Sequence, residues 1–309
     1  MKPAARVRSR ARHRDLGGGG RTAALFLAPF FALFLLTMIG PVIYSLGLSL
    51  FATKKSGLGF GSSPEVVFVG IENFVAVLSS ESFLAGFARV AIYALLYLPT
   101  MIGGALVLSL LLDTAAALFK RAFQLLLFLP HAVPGVIAAL IWVYLYTPGV
   151  SPLVRALESG GISVNFFSAE LVLPAMVNIA VWEWTGFNVI VIFTALQALP
   201  REVIEAARVD GAGPFRTALS IKLPLIAPAI GVALLFTSIG ALQLFTEPAI
   251  LATASRAVTP TYVPNMWAYD AAFNRLDLNQ AAAASIIIAV VAGVVSYFIT
   301  RINTKGGRA

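Results

Sequence analysis

Six apolar segments decide what this chain can fold into: Thr22–Phe51, Gly86–Leu112, Phe123–Tyr146, Glu170–Leu199, Ala227–Ala252 and Gln280–Ile302. A helix needs about 20 predominantly apolar residues to cross a bilayer's hydrocarbon core, and each segment meets that length. Hydrocarbon offers no partner for a bare N–H or C=O, so a spanning segment must satisfy its own backbone, as a helix does. Composition closes off the soluble alternative. The chain is 59% hydrophobic and 12% charged, against about a quarter charged in a soluble domain. A single soluble core of this length would not hide that much apolar surface. The expected fold class is an all-α polytopic membrane protein with six transmembrane helices. The first segment exceeds the ~7–15 apolar residues of a cleaved signal peptide, so it reads as a retained span. Pro29 and the Gly40-Pro41 step predict a kink within it.

Six crossings put both termini on one side. Of the 22 Lys and Arg, only Lys54, Lys55, Arg89, Arg155, Arg256 and Arg275 fall on the other side. By the positive-inside rule the termini and the loop between spans four and five are cytoplasmic. The net charge of +8 is thereby a statement about topology, and no nucleic-acid partner is expected. Residues 1–21 form a basic, disordered cytoplasmic tail with Gly17–Gly20 as a flexible joint; an RNA- or lipid-binding arm is the alternative. Residues 22–302 form the six-helix transmembrane domain and 303–309 a short cytoplasmic end. Between the first two spans, Val66–Val69 reads as a short strand and Ile71–Leu78 as an interfacial helix. Trp142, Tyr144 and Tyr146 read as an interfacial aromatic belt.

Enzyme chemistry finds little to stand on. There is no Cys, which removes disulfides, thiolate nucleophiles and Cys-ligated metals. His13 and His131 do not make a metal site. No G-x-S-x-G, H-E-x-x-H or P-loop pattern occurs. No catalytic or metal-ligating residue is assigned, and any ATP hydrolysis would come from another chain.

The longest structured stretch between spans is residues 200–226. Pro200 suits a helix start, Glu202 and Glu205 sit where the dipole favours negative charge, and Val203, Ile204 and Ala207 make an apolar stripe. Asp210-Gly211 breaks that helix and Gly213-Pro214 starts another, which Leu223-Pro224 is expected to end. The product is a helix–turn–helix with small side chains at its corner. It is either a docking knuckle or an ordinary amphipathic loop on the membrane surface.

Two acids fall inside spans, where charge is costly and often functional. Glu183 lies in the fourth, within Trp182-Glu183-Trp184-Thr185-Gly186-Phe187-Asn188, and Glu247 in the fifth, after Gln243. One reading is a substrate pathway lined by Trp182, Glu183, Trp184, Asn188, Gln243 and Glu247, with rings stacking on sugar faces and amides and carboxylates bonding hydroxyls. Trp184 and Asn188 share a face as i and i+4, and Trp182 lies off it. The other reading is structural, with each acid pairing a neighbouring helix or a partner subunit. A proton or cation relay is a third, although no internal repeat of the kind relays often use is visible.

The run Glu205-Ala206-Ala207, Asp210-Gly211-Ala212, Ile221, Leu223-Pro224 and Pro228 resembles the EAA loop of ABC importer permeases. The resemblance implies that Glu205, Ala206, Ala207, Asp210, Gly211 and Ala212 form the element that couples to an ATPase subunit. The segments Phe68–Phe74 (FVGIENF), Leu127–Pro130, Trp184–Asn188, Ala195–Gln197 and Ala272–Asn274 resemble the sugar and glycerol-phosphate, maltose-type group of binding-protein-dependent permeases. The chain departs from that group at Ala252–Arg256, where a Gly-rich run is usual, and at Glu183, which many members lack. The resemblance implies these partners: a second homologous permease, two ATP-binding subunits carrying ATP and Mg, an extracytoplasmic solute-binding protein, and membrane lipid. It implies ATP-driven import of a sugar or sugar-like polyol, with no cofactor on this chain. An ion-coupled secondary transporter and a non-transporting scaffold or sensor are the alternatives.

Overall fold

The computed structural model describes residues 19–54, 65–114 and 119–306, with side chains over 23–53, 65–114 and 119–301. Most of the basic tail, the loop 55–64 and the last three residues lie outside the described residues. The chain divides into two compact units, Met1–Gly47 and Leu48–Ala309. In the first, helix begins at Gly19, inside the stretch read as a joint, and runs to Phe34 with Pro29 within it. A π-helical turn, Leu35–Ile39, leads into the helix Gly40–Ser49. The expected kink at Gly40-Pro41 is thus a widened turn. Gly40 N–H bonds Leu35 O, and the helix continues past a proline that has no N–H to give.

The second unit opens with a small hairpin. Strand Phe51–Lys54 pairs antiparallel with Glu65–Phe68, Phe51 opposite Phe68. Asn73, buried in the helix Glu72–Leu78, donates through Nδ2 to Ser49 O and Phe51 O, both at 2.8 Å. Asn279 Nδ2 donates to Leu48 O at 2.9 Å. Two asparagines therefore take up carbonyls that the ending helix leaves without an intrahelical donor. This is the physical role of the Phe68–Phe74 segment: Gly70 turns the chain at φ +60°, and Asn73 pins the result.

Among the described residues five helices are long and apolar enough to cross a membrane, or six when one bent pair is counted as a single span. The second span, Glu81–Asp113, and the fourth, Val172–Gln197, form the most extensive helix pair. Ser109 Oγ lies 2.6 Å from Ala105 O and 3.1 Å from Val189 O, sharing its proton across that contact. Val90, Tyr93, Met101, Met176 and Ile179 make the core on one part of the pair, and Ala105, Val189, Ile192 and Ile226 on another. The sixth span, Leu278–Gly306, continues into residues read as a tail.

Two spans depart from expectation. The third is not one rod over 123–146: Lys120–Ala132 and Gly135–Tyr146 meet at 95°. Pro130 and Pro134 are the cause. Leu129–Ala132 tightens to a 3-10 turn and Val133 is extended at ψ 130°, as a residue before proline prefers. Leu223-Pro224 does not end the knuckle's second helix. Pro214–Thr217 passes through a π turn, Ala218–Lys222, into Leu223–Leu242, with Pro224 in that helix's first turn, where its missing N–H costs little. The belt reading also needs correction. Tyr146 is buried, donating to Ala175 O at 3.2 Å and accepting from Asn178 Nδ2 at 2.8 Å, whereas Tyr144 is exposed.

The elbow of the third span rests on Gly186. A Cβ there would fall on the Leu127 carbonyl and the Phe128 Cα, which are backbone and cannot turn aside. Gly186→Ala is expected to cost about 3 kcal/mol or more, the upper end of overpacking penalties. The check is the melting temperature of the detergent-solubilised protein. An unchanged value would mean that the elbow does not seat there.

Candidate functional site

The fifth span is interrupted where it meets the others. Its helix stops at Leu242, Phe245 takes φ −152° and ψ −50°, and a new helix runs Thr246–Leu251. Pro248 explains the break. In an unbroken helix it would leave Leu244 O without a donor and press its ring on that carbonyl. Asn265 Nδ2 supplies donors instead, 3.1 Å from Leu242 O and 3.4 Å from Leu244 O. Backbone that leaves helical geometry inside a span is tolerated where protein or a cavity faces it, and here it borders a cavity of about 560 Å³.

The cavity gathers residues from four spans. Tyr93 and Tyr97 come from the second, Gly135 from the elbow, Glu183, Trp184 and Asn188 from the fourth, and Gln243 and Glu247 from the break. Glu183 is 8% exposed and makes no hydrogen bond or ion pair among the described residues. Its Oε1 stands 3.4 Å from where a Cβ on Gly135 would be, which places the carboxylate against the elbow of the third span. Trp184 packs edge-on against His131, ring centres 4.6 Å apart. Asn188 Nδ2 donates to Trp184 O at 3.2 Å, and Gln243 is exposed to the cavity. Trp182 is not among the lining residues. Its ring meets Trp142 at 5.9 Å, edge to face, in the packing between the third and fourth spans. Tyr93 and Tyr97 were not singled out by sequence, although two tyrosines at i and i+4 in an apolar span are a readable signal. Asn265 carries no such signal, because its role exists only once the helix is broken.

A second feature is the knuckle. The helix Arg201–Val209 buries Ala207 and leaves Glu205, Ala206 and Asp210 exposed. Gly211 has φ +80° and also faces outward, while Ala212 is half-buried. Ala212 N–H bonds Ala207 O at 2.9 Å and Gly211 N–H bonds Arg208 O at 3.0 Å, closing the corner. Val209 and Phe215, large apolar side chains beside the corner, are 88% and 78% exposed. Behind it, Lys222 Nζ meets Asp113 Oδ2 at 2.5 Å, and Gln197 Nε2 donates to Asp113 Oδ1 at 2.6 Å. One carboxylate at the end of the second span thereby holds the end of the fourth and the start of the fifth.

A polytopic helical protein with a cavity at a broken span has the architecture of a membrane permease. The chain belongs to the family described as binding-protein-dependent transport system inner membrane component, whose model matches residues 67–306. It is 33% identical over 231 residues to the sn-glycerol-3-phosphate transport system permease protein UgpA of Yersinia pseudotuberculosis serotype I (strain IP32953), covering 74% of this chain and 77% of that one. It is 32% identical to the protein of the same name from Salmonella choleraesuis (strain SC-B67), covering 85% and 88%. In structure it resembles a chain of a bacterial ABC transporter involved in the import of the acidic polysaccharide alginate, with TM-score 0.77, 25% identity and coverage of 94% and 97%. A second structure of an alginate ABC transporter, in complex with a pentasaccharide-bound periplasmic protein, shares the fold at TM-score 0.78 and 24% identity, covering 96% and 99%. The protein is therefore a multi-pass inner-membrane permease of a binding-protein-dependent ABC importer, a transporter subunit and not an enzyme.

The Asp113–Lys222 pair, with side chains 12% and 19% exposed, predicts a measurable coupling. Lys222→Ala should destabilise the detergent-solubilised protein by about 1–3 kcal/mol, because it strands a largely buried carboxylate. Adding Asp113→Asn should return part of that loss in a double-mutant cycle. Strict additivity would show the pair to be independent.

Proposed function

We propose that this chain is one of two related permeases forming a pathway for a sugar or sugar-like polyol handed over by an extracytoplasmic binding protein. Two ATP-binding subunits, carrying ATP and Mg, drive the pair by seating on the knuckle 201–217. Both termini and the knuckle face the cytoplasm in this reading, which the Lys and Arg distribution supports. The observation that carries this reading is one helical run. It starts at Pro214 beside the exposed corner, passes the Asp113–Lys222 anchor, and ends at Leu242, where the cavity opens. Its last 20 residues, with Pro228 among them, alone span roughly 30 Å as one helix. Motion of the corner is therefore delivered as far as Gln243, at the edge of the cavity, without an intervening loop.

The rest follows from differential affinity. ATP favours the closed ATPase pair, closure moves the knuckle, and the spans tilt toward the outward-open state that accepts solute. Glu205, exposed near the corner, supplies a polar contact to the ATPase; Gly211 supplies a backbone conformation that other residues resist. The carbohydrate reading draws on the cavity's rings and two-way polar groups: Trp184 and Tyr97 offer flat faces, while Asn188 and Gln243 both donate and accept.

Tagged protein purified in mild detergent should bring with it a second permease and a P-loop ATPase. In proteoliposomes of that complex, Glu205→Ala and Gly211→Pro should each lower ATP-driven uptake by about tenfold or more while membrane insertion is unchanged, since proline cannot adopt positive φ. Normal uptake in both variants would sink the docking role. A chain that purifies alone and takes up solute on an ion gradient would replace the reading with secondary transport.

A further inference from the structure

We propose that this cavity admits uncharged polyhydroxylated solutes and turns away phosphorylated and uronate-bearing ones. The proposal rests on reading the cavity as the solute pathway, and it names the charge class that pathway accepts. Two carboxylates, Glu183 and Glu247, line one cavity. Glu183 is 8% exposed and has neither cation nor hydrogen-bond donor among the described residues. No lysine, arginine or histidine among the described residues lines the same space. Nearby guanidinium groups are committed elsewhere. Arg89 donates to Tyr262 O at 2.9 Å and lies over its ring, and Arg275 bonds Asp270 at 3.0 Å and lies over Trp267.

Anion recognition draws on Arg or Lys, whose cationic donors offset the water a phosphate or carboxylate loses. Nothing of that kind faces this cavity among the described residues. Both protonation states of the acids point the same way. Ionised, they repel an incoming anion across a medium less polar than water, where Coulomb forces are strong. Protonated, they donate and accept like hydroxyls but carry no positive charge to replace an anion's hydration. For a neutral polyol either state is usable, since an ionised carboxylate accepts from hydroxyls and a protonated one does both. The similar proteins are named for anionic solutes, sn-glycerol 3-phosphate and the acidic polysaccharide alginate, so the chain departs from them in charge selection rather than in fold.

The test measures equilibrium binding to the purified importer, complete with partner permease and ATPase, in the absence of binding protein. The probes are radiolabelled maltotriose, which is neutral, and trigalacturonate, which is anionic and of similar size. The wild-type complex is expected to hold maltotriose about tenfold or more tighter, and Glu183→Gln with Glu247→Gln to narrow the gap to about threefold, chiefly by tighter binding of trigalacturonate. Equal or tighter wild-type binding of trigalacturonate would overturn the proposal whether or not the double variant assembles. A wild-type preference for maltotriose that the assembled double variant leaves unmoved would still support it, with the selection resting on the lack of a cation in the cavity rather than on the acids' charge. Binding of neither trisaccharide is a different result: it would overturn the carbohydrate reading of the pathway, and this selection with it.

Discussion

A backbone carbonyl has nowhere to turn in hydrocarbon, and the architecture of this protein follows from where that rule is obeyed and where it is broken. It is obeyed along the fourth and sixth spans, whose helices close their own hydrogen bonds, and along the second apart from the one bond that Pro99 removes. It is relaxed at the elbow of the third span and at Gln243–Phe245 in the fifth, and both breaks are built around proline. Each has a device that contains the cost. Gly186 lets the elbow's backbone lie directly on the fourth span. Asn265 reaches in to meet the two carbonyls that the fifth span releases. The cavity lies between these breaks, with Gly135 beside one and Gln243 and Glu247 at the other.

That arrangement joins the cavity to the knuckle mechanically. A loop between them would absorb displacement, whereas a helix transmits it. Between Pro214 and Leu242 the run carries the π turn Ala218–Lys222 and the interior proline Pro228, and Lys222 in the π turn is tied to Asp113 and, through Asp113, to Gln197. The π turn is thus also where three spans are bound together. An inserted residue widens a helix locally and is often kept at functional positions. Here it lets the chain pass Pro224 while turning the Lys222 side chain toward its anchor.

Much of this was legible in the residues. The six spans, their order, the helix–turn–helix with Gly211 at its corner, the short strand before Phe68 and the small helix after Gly70 are local or compositional signals. The breaks were present as Pro130, Pro134 and Pro248, but apolarity alone makes a bent span look like a straight one. Length and hydropathy count residues and do not see direction. Leu223-Pro224 misled in the opposite sense, because a proline near a helix start is harmless and a π turn supplies the slack. Trp182 and Trp184 could not be told apart by type. Helical phase separates them, and only the position of Trp142 shows that one packs against the third span while the other meets the cavity. Asn73, Asn265 and Asn279 act between elements distant in sequence, where no single-chain pattern reports them.

The two carboxylates are the point at which stability and purpose diverge. A buried acid without a partner costs stability whichever protonation state it adopts, and nothing in the packing of the fourth span asks for one at Glu183. An alanine or glutamine would fill the same helical face. The cavity that Glu183 lines, shared with Tyr93 and Tyr97, makes sense if the group is meant to meet something that enters. In a membrane protein such a residue is a functional site by default. Under the proposal that the cavity carries a neutral polyol, the chemistry that Glu183 awaits is that of a hydroxyl.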